Sequence, residues 1–356
     1  MTENRNAIRR DPRIAARIAA AIIPVLLLAG CTSEKPRPTP TDTPTATAEA
    51  WVSTYAAPPA TELAPLRGTT VAAGKLKNPS LAVKIDNHTA ARPQIALERA
   101  DIVFEELVEG GLTRYAAVWQ SDIPKLIGPV RSIRPMDPDI ISPFGGIVAY
   151  SGGQKVFVDM MMAAPVVNAI FDYDRSGLFY RIGGKSAPHN VVVKATTLVG
   201  RYPKLAKPVQ QFAYAPTIAA SSAVTEGKPF GVIKTRFSPE RWPAWAWNAK
   251  AKSYLRSQEG SPDRDSNGDQ LRSTNVVIMR VDISHNYGPV PKTVMVGKGE
   301  AWVSTGGKTI HGTWSKKYRS SSPRLVDDNG VTIRLAPGNT WIELVPKKQG
   351  EVQLVK

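Results

Sequence analysis

Charged residues that could bind or act on a ligand are concentrated in the first half of the chain. Carboxylates and guanidinium groups lie near the ends of predicted strands, and one histidine follows in a proline-bounded turn. The members of this predicted cleft are Asp86, Glu105, Glu109, Arg114, Arg131, Arg134 and His189. Charged groups embedded in apolar strands must be paired or solvated, and guanidinium groups hold a carboxylate or phosphate through two parallel hydrogen bonds. The pattern predicts either a cleft for an anionic ligand or a network of ion pairs that ties loops together.

The carboxylates of this set also allow an enzymatic interpretation. In an extended strand Glu105 and Glu109 share one face and Glu106 lies on the other. A pair of carboxylates can act as general acid and base, as in glycoside hydrolysis, and a histidine such as His189 can move a proton near neutral pH. We expect a non-catalytic binding or scaffolding module, with a hydrolase that uses carboxylates or His189 as the alternative.

A second group of oxygen-bearing residues has the spacing of a calcium loop. Asp263, Asp265, Asn267 and Asp269 occupy alternate positions, and a glycine stands at the sixth. Alternation turns such side chains toward one centre, and the glycine permits a tight turn. The twelfth position is a threonine, so the bidentate glutamate is missing. The segment predicts either a weak calcium site or an Asx-rich hairpin loop; no other cofactor is expected.

The N-terminus has the pattern of a secreted, lipid-modified protein. Five arginines precede residues 18–30, an uncharged run too short to cross a bilayer and typical of a signal peptide. The run ends in Leu28-Ala29-Gly30-Cys31, which resembles the lipobox of bacterial lipoproteins. We therefore expect residues 1–30 to be removed and Cys31 to carry acyl chains. Two or more chains hold a protein stably on a membrane, which predicts a location on the outer face of the cytoplasmic membrane.

Composition excludes several classes of function. Cys31 is the single cysteine, so a disulfide framework, a zinc site built on cysteines and an iron–sulfur cluster are excluded in one monomer. The net charge is +16, and without residues 1–30 it is +13, because that segment holds five arginines and two acids. The basic residues are dispersed, and an extracytoplasmic location argues against nucleic acid. An anionic envelope polymer or another envelope protein is the expected partner, beside the membrane itself.

The elements that position these residues divide the chain into five segments. Residues 1–30 are the predicted signal peptide, and residues 31–75 are rich in proline, threonine and alanine, which predicts a disordered tether. Residues 76–212 alternate short strands and helices and predict a mixed α/β domain. Residues 213–228 read as a linker, and residues 229–356 show a period of two almost throughout, which predicts a mainly β domain. The expected fold class is α+β.

Several gapped sequence blocks occur together in one order. They are AVKIDN (82–87), ARPQ (91–94), ADIVFE (100–105), EGGLTR (109–114), IGPVRSIR (127–134), PHN (188–190), NVV (275–277) and GNTWI (338–342). Together they resemble the YerB family of bacterial lipoproteins, a domain family of unknown function (DUF3048), over roughly residues 76–356. The resemblance implies a two-domain α+β lipoprotein facing the outside of the cell, and it implies no established reaction.

Overall fold

The computed structural model describes residues 49–356. Residues 57–356 form one compact unit, whereas residues 49–56 contain no helix or strand. The predicted signal peptide and Cys31 lie outside the described residues. Among the residues that are described, no helix is long and apolar enough to cross a membrane.

Strands dominate the described chain, and its helices are short. The strands before residue 200 are β1 (Thr61–Leu63), β2 (Thr70–Ala72), β3 (Leu81–Asp86), β4 (Ile102–Leu107), β5 (Thr113–Trp119), β6 (Leu126–Ile127), β7 (Ile147–Tyr150), β8 (Val167–Ile170), β9 (Phe179–Arg181) and β10 (Val191–Lys194). Those after it are β11 (Lys228–Pro229), β12 (Val232–Arg236), β13 (Pro243–Asn248), β14 (Ser253–Gln258), β15 (Ser261–Pro262), β16 (Arg272–Ser273), β17 (Asn275–Val281), β18 (Ile283–Tyr287), β19 (Val290–Thr293), β20 (Gly297–Thr305), β21 (Lys308–Lys316), β22 (Arg324–Asp327), β23 (Thr340–Pro346) and β24 (Glu351–Val355). The α-helices are α1 (Asp137–Ile141), α2 (Lys155–Met162), α3 (Ala195–Gly200) and α4 (Ser222–Glu226). The fold is therefore mostly β with few helices, and the mixed α/β character expected for the first half stays a prediction.

One 11-stranded sheet runs through both halves of the sequence. Its order is β11-β21-β20-β17-β23-β4-β5-β3-β7-β8, with β22 paired to β21. The halves meet where β4 pairs in parallel with β23, from Ile102 opposite Thr340 to Glu105 opposite Glu343. The parts of the chain before and after residues 213–228 therefore share one sheet and do not form separate domains.

Both faces of this sheet are buried at its centre. In β4, Ile102 and Phe104 belong to one apolar cluster, whereas Val103 and Leu107 belong to the other. Burial on both faces explains why β3, β4 and β5 carry nearly continuous apolar runs instead of a simple alternation. A second sheet of six strands, in the order β15-β14-β13-β12-β24 with β16 paired to β14, lies in the C-terminal half.

The predicted tether is too long at its C-terminal end. Strands β1 and β2 form an antiparallel hairpin, and Leu66, in the loop between them, is fully buried in an apolar cluster. The Tyr214 hydroxyl donates to the carbonyl of Leu66 at 2.8 Å, and Arg67 pairs with Asp101 at 2.5 Å. Composition does not predict that this segment is ordered, because its order depends on one buried leucine and on two contacts with residues distant in the sequence.

The predicted linker at residues 213–228 is also packed. Tyr214 and Ala215 are buried, the N–H of Ala215 donates to Leu335, and Ala223 of α4 belongs to the core. The composition of this segment marks a change of pattern along the chain, but its contacts make it part of the folded unit.

Candidate functional site

A row of three charged residues crosses the central sheet at one end of β3, β4 and β5. Arg114 on β5 lies directly opposite Glu106 on β4 and opposite Asp86 on β3. Directly opposite residues point to the same face of a sheet. Three of the predicted site residues, Arg114, Arg131 and Asp86, are brought close together around this row, and Arg134 and Glu109 adjoin them.

The carboxylate of Asp86 contacts three other residues. It accepts a hydrogen bond from Nδ1 of His189 at 2.7 Å and from the backbone N–H of His88 at 3.0 Å. The Nε of Arg131 lies 3.1 Å from the same carboxylate. Of the predicted set, the structure thus brings Asp86, Arg131 and His189 into direct contact.

His88 is a member of the group that sequence reasoning missed. Its ring stacks on that of His189 at 4.4 Å between centroids, and its Nδ1 accepts the N–H of Ala90. Burial, and then the neighbouring His189, lower the pKa of His88 below its usual value. His88 is thus neutral near pH 7, and its Nε2 carries the proton.

Arg134 and Glu109 form a second ion pair at the rim. The Nε of Arg134 donates to Glu109 at 2.7 Å; burial alone would raise the pKa of Glu109, but this hydrogen bond holds it below its usual value. Glu109 does not continue β4, because the chain turns at Gly110 and Gly111, which have φ angles of 69° and 72°. This left-handed conformation suits glycine and places Glu109 beside Arg134 instead of on the face of Glu105.

Lys84 lies beneath the group, and sequence reasoning missed it too. Its ammonium is fully buried and pairs with Asp137 at 2.8 Å and with Glu106. Burial lowers the pKa of Lys84 to about 8, although Asp137 opposes the shift. A lysine within the mainly apolar strand β3 was the available signal, since such a charge requires a partner.

Arg114 differs from the other arginines of the group. It is 9% exposed, and its Nη1 donates to the carbonyl of Ser132 at 2.8 Å. Across residues 49–356 no carboxylate lies within 4 Å of its guanidinium. Burial, followed by the charges of Arg134 and Arg131, lowers the pKa of Arg114 to about 9. The charge of Arg114 is therefore poorly compensated.

Glu105 does not belong to this group, which corrects the sequence expectation. Its side chain lies on the opposite face of the sheet, where it accepts from Arg256 at 2.5 Å and from the hydroxyl of Thr113 at 2.7 Å. Arg256 is fully buried and also pairs with Asp263. The sequence places Glu105 and Glu109 on one face of a continuous strand, but β4 ends at Leu107, so Glu105 stays on the face of Arg256 while Glu109 turns toward Arg134.

The residues of the predicted calcium loop do not converge on one centre. Asp263 pairs with Arg256, whereas Asp265 accepts the backbone N–H groups of Ala96 and Leu97 at 3.0 and 2.7 Å. The remaining two, Asn267 and Asp269, hydrogen-bond to each other at 3.1 Å. Within the described part of the chain, no group of three or more histidine, cysteine, aspartate or glutamate side chains could hold a metal ion.

Comparison with known proteins identifies the family. A model of the DUF3048 N-terminal domain, a protein family of unknown function, matches residues 66–207, and a model of its C-terminal domain matches residues 233–342. The chain belongs to the DUF3048 family. The residues of the site around Asp86 lie within the first match, and Arg256 and Asp263 lie within the second.

One relative and one solved structure extend this result. The chain is 29% identical over 299 residues to the Bacillus subtilis (strain 168) protein named "Putative lipoprotein YerB", and the alignment covers 80% of this chain and 86% of that protein. The crystal structure of the YerB protein from Bacillus subtilis superimposes with a TM-score of 0.71 at 24% identity, covering 82% of this chain and 99% of that one. The structural likeness shows a shared fold.

Proposed function

We propose that this protein is a lipid-anchored, extracytoplasmic binding module whose arginine group holds an anionic ligand. By the arginine group we mean Arg114, Arg131 and Arg134 together with Asp86 and Glu109. The lipobox at Cys31 supports the anchor, as does the relative that is named a putative lipoprotein. An anionic polymer of the cell envelope is the ligand class that such a location offers.

The position of Arg114 is the observation that carries the proposal. A nearly buried cation without a carboxylate in contact is costly, and here two further guanidinium groups lie nearby. A carboxylate or phosphate that enters between them would supply the missing partner and accept paired hydrogen bonds. A purely structural network would leave no such donor without a counterion.

Anion-dependent stabilisation tests this proposal. A ligand that binds only the folded state raises the melting temperature, so phosphate and citrate should stabilise the full chain more than chloride at equal ionic strength. Arg114→Lys keeps the charge but loses the planar fork, and it should remove most of this difference; Arg131→Lys and Arg134→Lys should reduce it. Arg272→Gln, which removes an exposed arginine of β16, is the matched control.

Two results would decide against the anion cleft. One is a wild-type protein whose melting temperature does not distinguish phosphate or citrate from chloride. The other is a set of arginine variants that lower stability equally with and without the anion, which is the behaviour of an ion-pair network. Either result would leave the arginine group a structural feature.

The Asp86–His189 pair favours a hydrolase as the second proposal. A carboxylate on Nδ1 orients an imidazole and strengthens it as a base at Nε2. Across residues 49–356 no serine hydroxyl hydrogen-bonds to this ring, so the base would activate water. His189→Gln should then abolish hydrolysis of an isolated envelope polymer while anion-dependent stabilisation persists; an unchanged rate would exclude this role.

A further inference from the structure

A cavity of about 540 Å³ opens in the C-terminal half, where β20 begins, β21 ends and β22 begins. Its lining combines the basic residues Lys298, Lys317 and Arg324 with the hydroxyls of Ser315, Ser321 and Ser322. None of these residues belongs to the arginine group, so this cavity, which we call the β20–β22 cavity, is a separate site.

Strand register arranges three of the lining residues in one row. Lys298 on β20 lies directly opposite Ser315 on β21, and Ser315 lies opposite Arg324 on β22. Directly opposite residues have their Cβ atoms about 5 Å apart on the same face of the sheet. A hydroxyl is therefore flanked on both sides by a long cationic side chain that can fold over it.

Among residues 49–356 these cations have no counterion. No aspartate or glutamate lines the cavity, and in the described part of the chain no carboxylate lies within 4 Å of the side-chain nitrogens of Lys298, Lys317 or Arg324. The neighbouring Arg319 differs, because its Nε contacts Asp139 at 3.0 Å. The local excess of positive charge is thus confined to the side chains that line the cavity.

The loop that closes the cavity is held in place by the protein itself. The ammonium of Lys316 is nearly buried and donates to the carbonyl oxygens of Arg319, at 2.7 Å, and of Ser321. The hydroxyl of Ser322 donates to Gln211 at 2.8 Å. Because these bonds fix the backbone of residues 316–322, the cavity needs no ligand to form.

We propose that the β20–β22 cavity binds a phosphate group, with Lys298 and Arg324 on either side and the hydroxyl of Ser315 between them. A phosphate oxyanion has several acceptor oxygens for ammonium, guanidinium and hydroxyl donors that come from different sides. The volume leaves room for a small polyol or sugar attached to the phosphate. The phosphate can come from a soluble phosphate ester or from the headgroup of an anionic lipid.

Titration calorimetry of the full chain tests the site, with glycerol phosphate as the soluble probe and vesicles of phosphatidylglycerol in phosphatidylcholine as the lipid probe. Arg324→Gln and Lys298→Gln should each weaken binding of the recognised probe about tenfold, as expected for loss of a charged hydrogen bond. Lys348→Gln removes an exposed lysine elsewhere and should leave binding unchanged. Both cavity residues are exposed, and unchanged melting temperatures will verify that the variants fold.

The two probes separate the two sources of phosphate. Binding of glycerol phosphate that depends on Lys298 and Arg324 supports a soluble ester, and vesicle binding alone with the same dependence supports a lipid headgroup. The proposal is overturned if neither probe binds, or if Lys348→Gln weakens binding as much as Arg324→Gln does. Arg114→Gln removes the contribution of the arginine group, so probe binding in this variant that still depends on Lys298 and Arg324 belongs to the cavity, and failure of either site is distinguishable from failure of the other.

Discussion

Arg256 and Glu105 form a fully buried ion pair, 2.5 Å between Nη2 and Oε2, that joins the two halves of the sequence. Arg256 also lies 5.0 Å above the ring of Trp341, and the nearby carboxyl of Glu343 accepts from Trp245 at 2.7 Å. Burial, followed by the charge of Glu105, raises the pKa of Glu343 well above its usual value. The raised pKa favours the protonated, neutral form of Glu343, and the guanidinium of Arg256 pairs with both Glu105 and Asp263.

Removing this guanidinium should destabilise the protein strongly. Arg256→Met leaves Glu105 and Asp263 buried without a cation, which costs about 3–5 kcal/mol. Urea unfolding measures the loss, and Arg236→Met serves as the control because its pair with Glu351 is exposed and is worth at most about 1 kcal/mol. If Arg256→Met and Arg236→Met lower the free energy of unfolding equally, the buried ion pair stabilises the protein no more than the exposed one.

Stability should fall as pH rises through the titration of Glu98. Burial, together with the adjacent Asp265, raises the pKa of Glu98 to about 8, whereas its usual value is 4.5. Between these values the folded state holds a proton that the unfolded state has released, so the stabilisation present below pH 4.5 is lost toward pH 8. The free energy of unfolding at pH 5.5 and 8.5 measures this loss. Glu98→Gln cannot titrate and should show a smaller difference; an identical pH dependence in both proteins would contradict the assignment.

The segment before residue 75 should contribute to stability. Leu66→Ala creates a void in the core and should cost about 2–5 kcal/mol, whereas Leu63→Ala, at a side chain that is 50% exposed, should cost much less. Correspondingly, a chain that begins at Ala57 should melt like the mature protein, and one that begins at Lys75 should melt lower. Equal melting of the two shortened chains would restore the tether interpretation for residues 57–74.

Cys31 should carry the lipid. Cys31→Ala removes the thiol that takes the acyl group, so labelling with a fatty-acid probe should disappear and the protein should remain unprocessed or be released. Metabolic labelling and membrane fractionation measure both effects. A processed variant that stays in the membrane fraction would show that the lipobox interpretation is wrong.

The amino-acid sequence by itself determined the features that depend on local order. The apolar run before Cys31, the gapped blocks of the DUF3048 family and the period of two in the C-terminal half are all properties of neighbouring residues. Their physical causes act over a few residues, which is why pattern alone was enough to find them. The need of Asp86 for partners was also predictable, because a carboxylate at the end of a buried strand must be paired or solvated.

Only the tertiary structure decided which charges meet. Whether Glu105 faces Arg114 or Arg256 depends on the face of β4 and on a parallel pairing with β23, more than 200 residues away. Other long-range contacts order Leu66 through the hydroxyl of Tyr214 and place Asp265 on the backbone of Ala96 and Leu97. Such pairings depend on how whole strands pack. The free energy of that packing comes from residues far apart in the chain, so a short stretch of sequence does not reveal it.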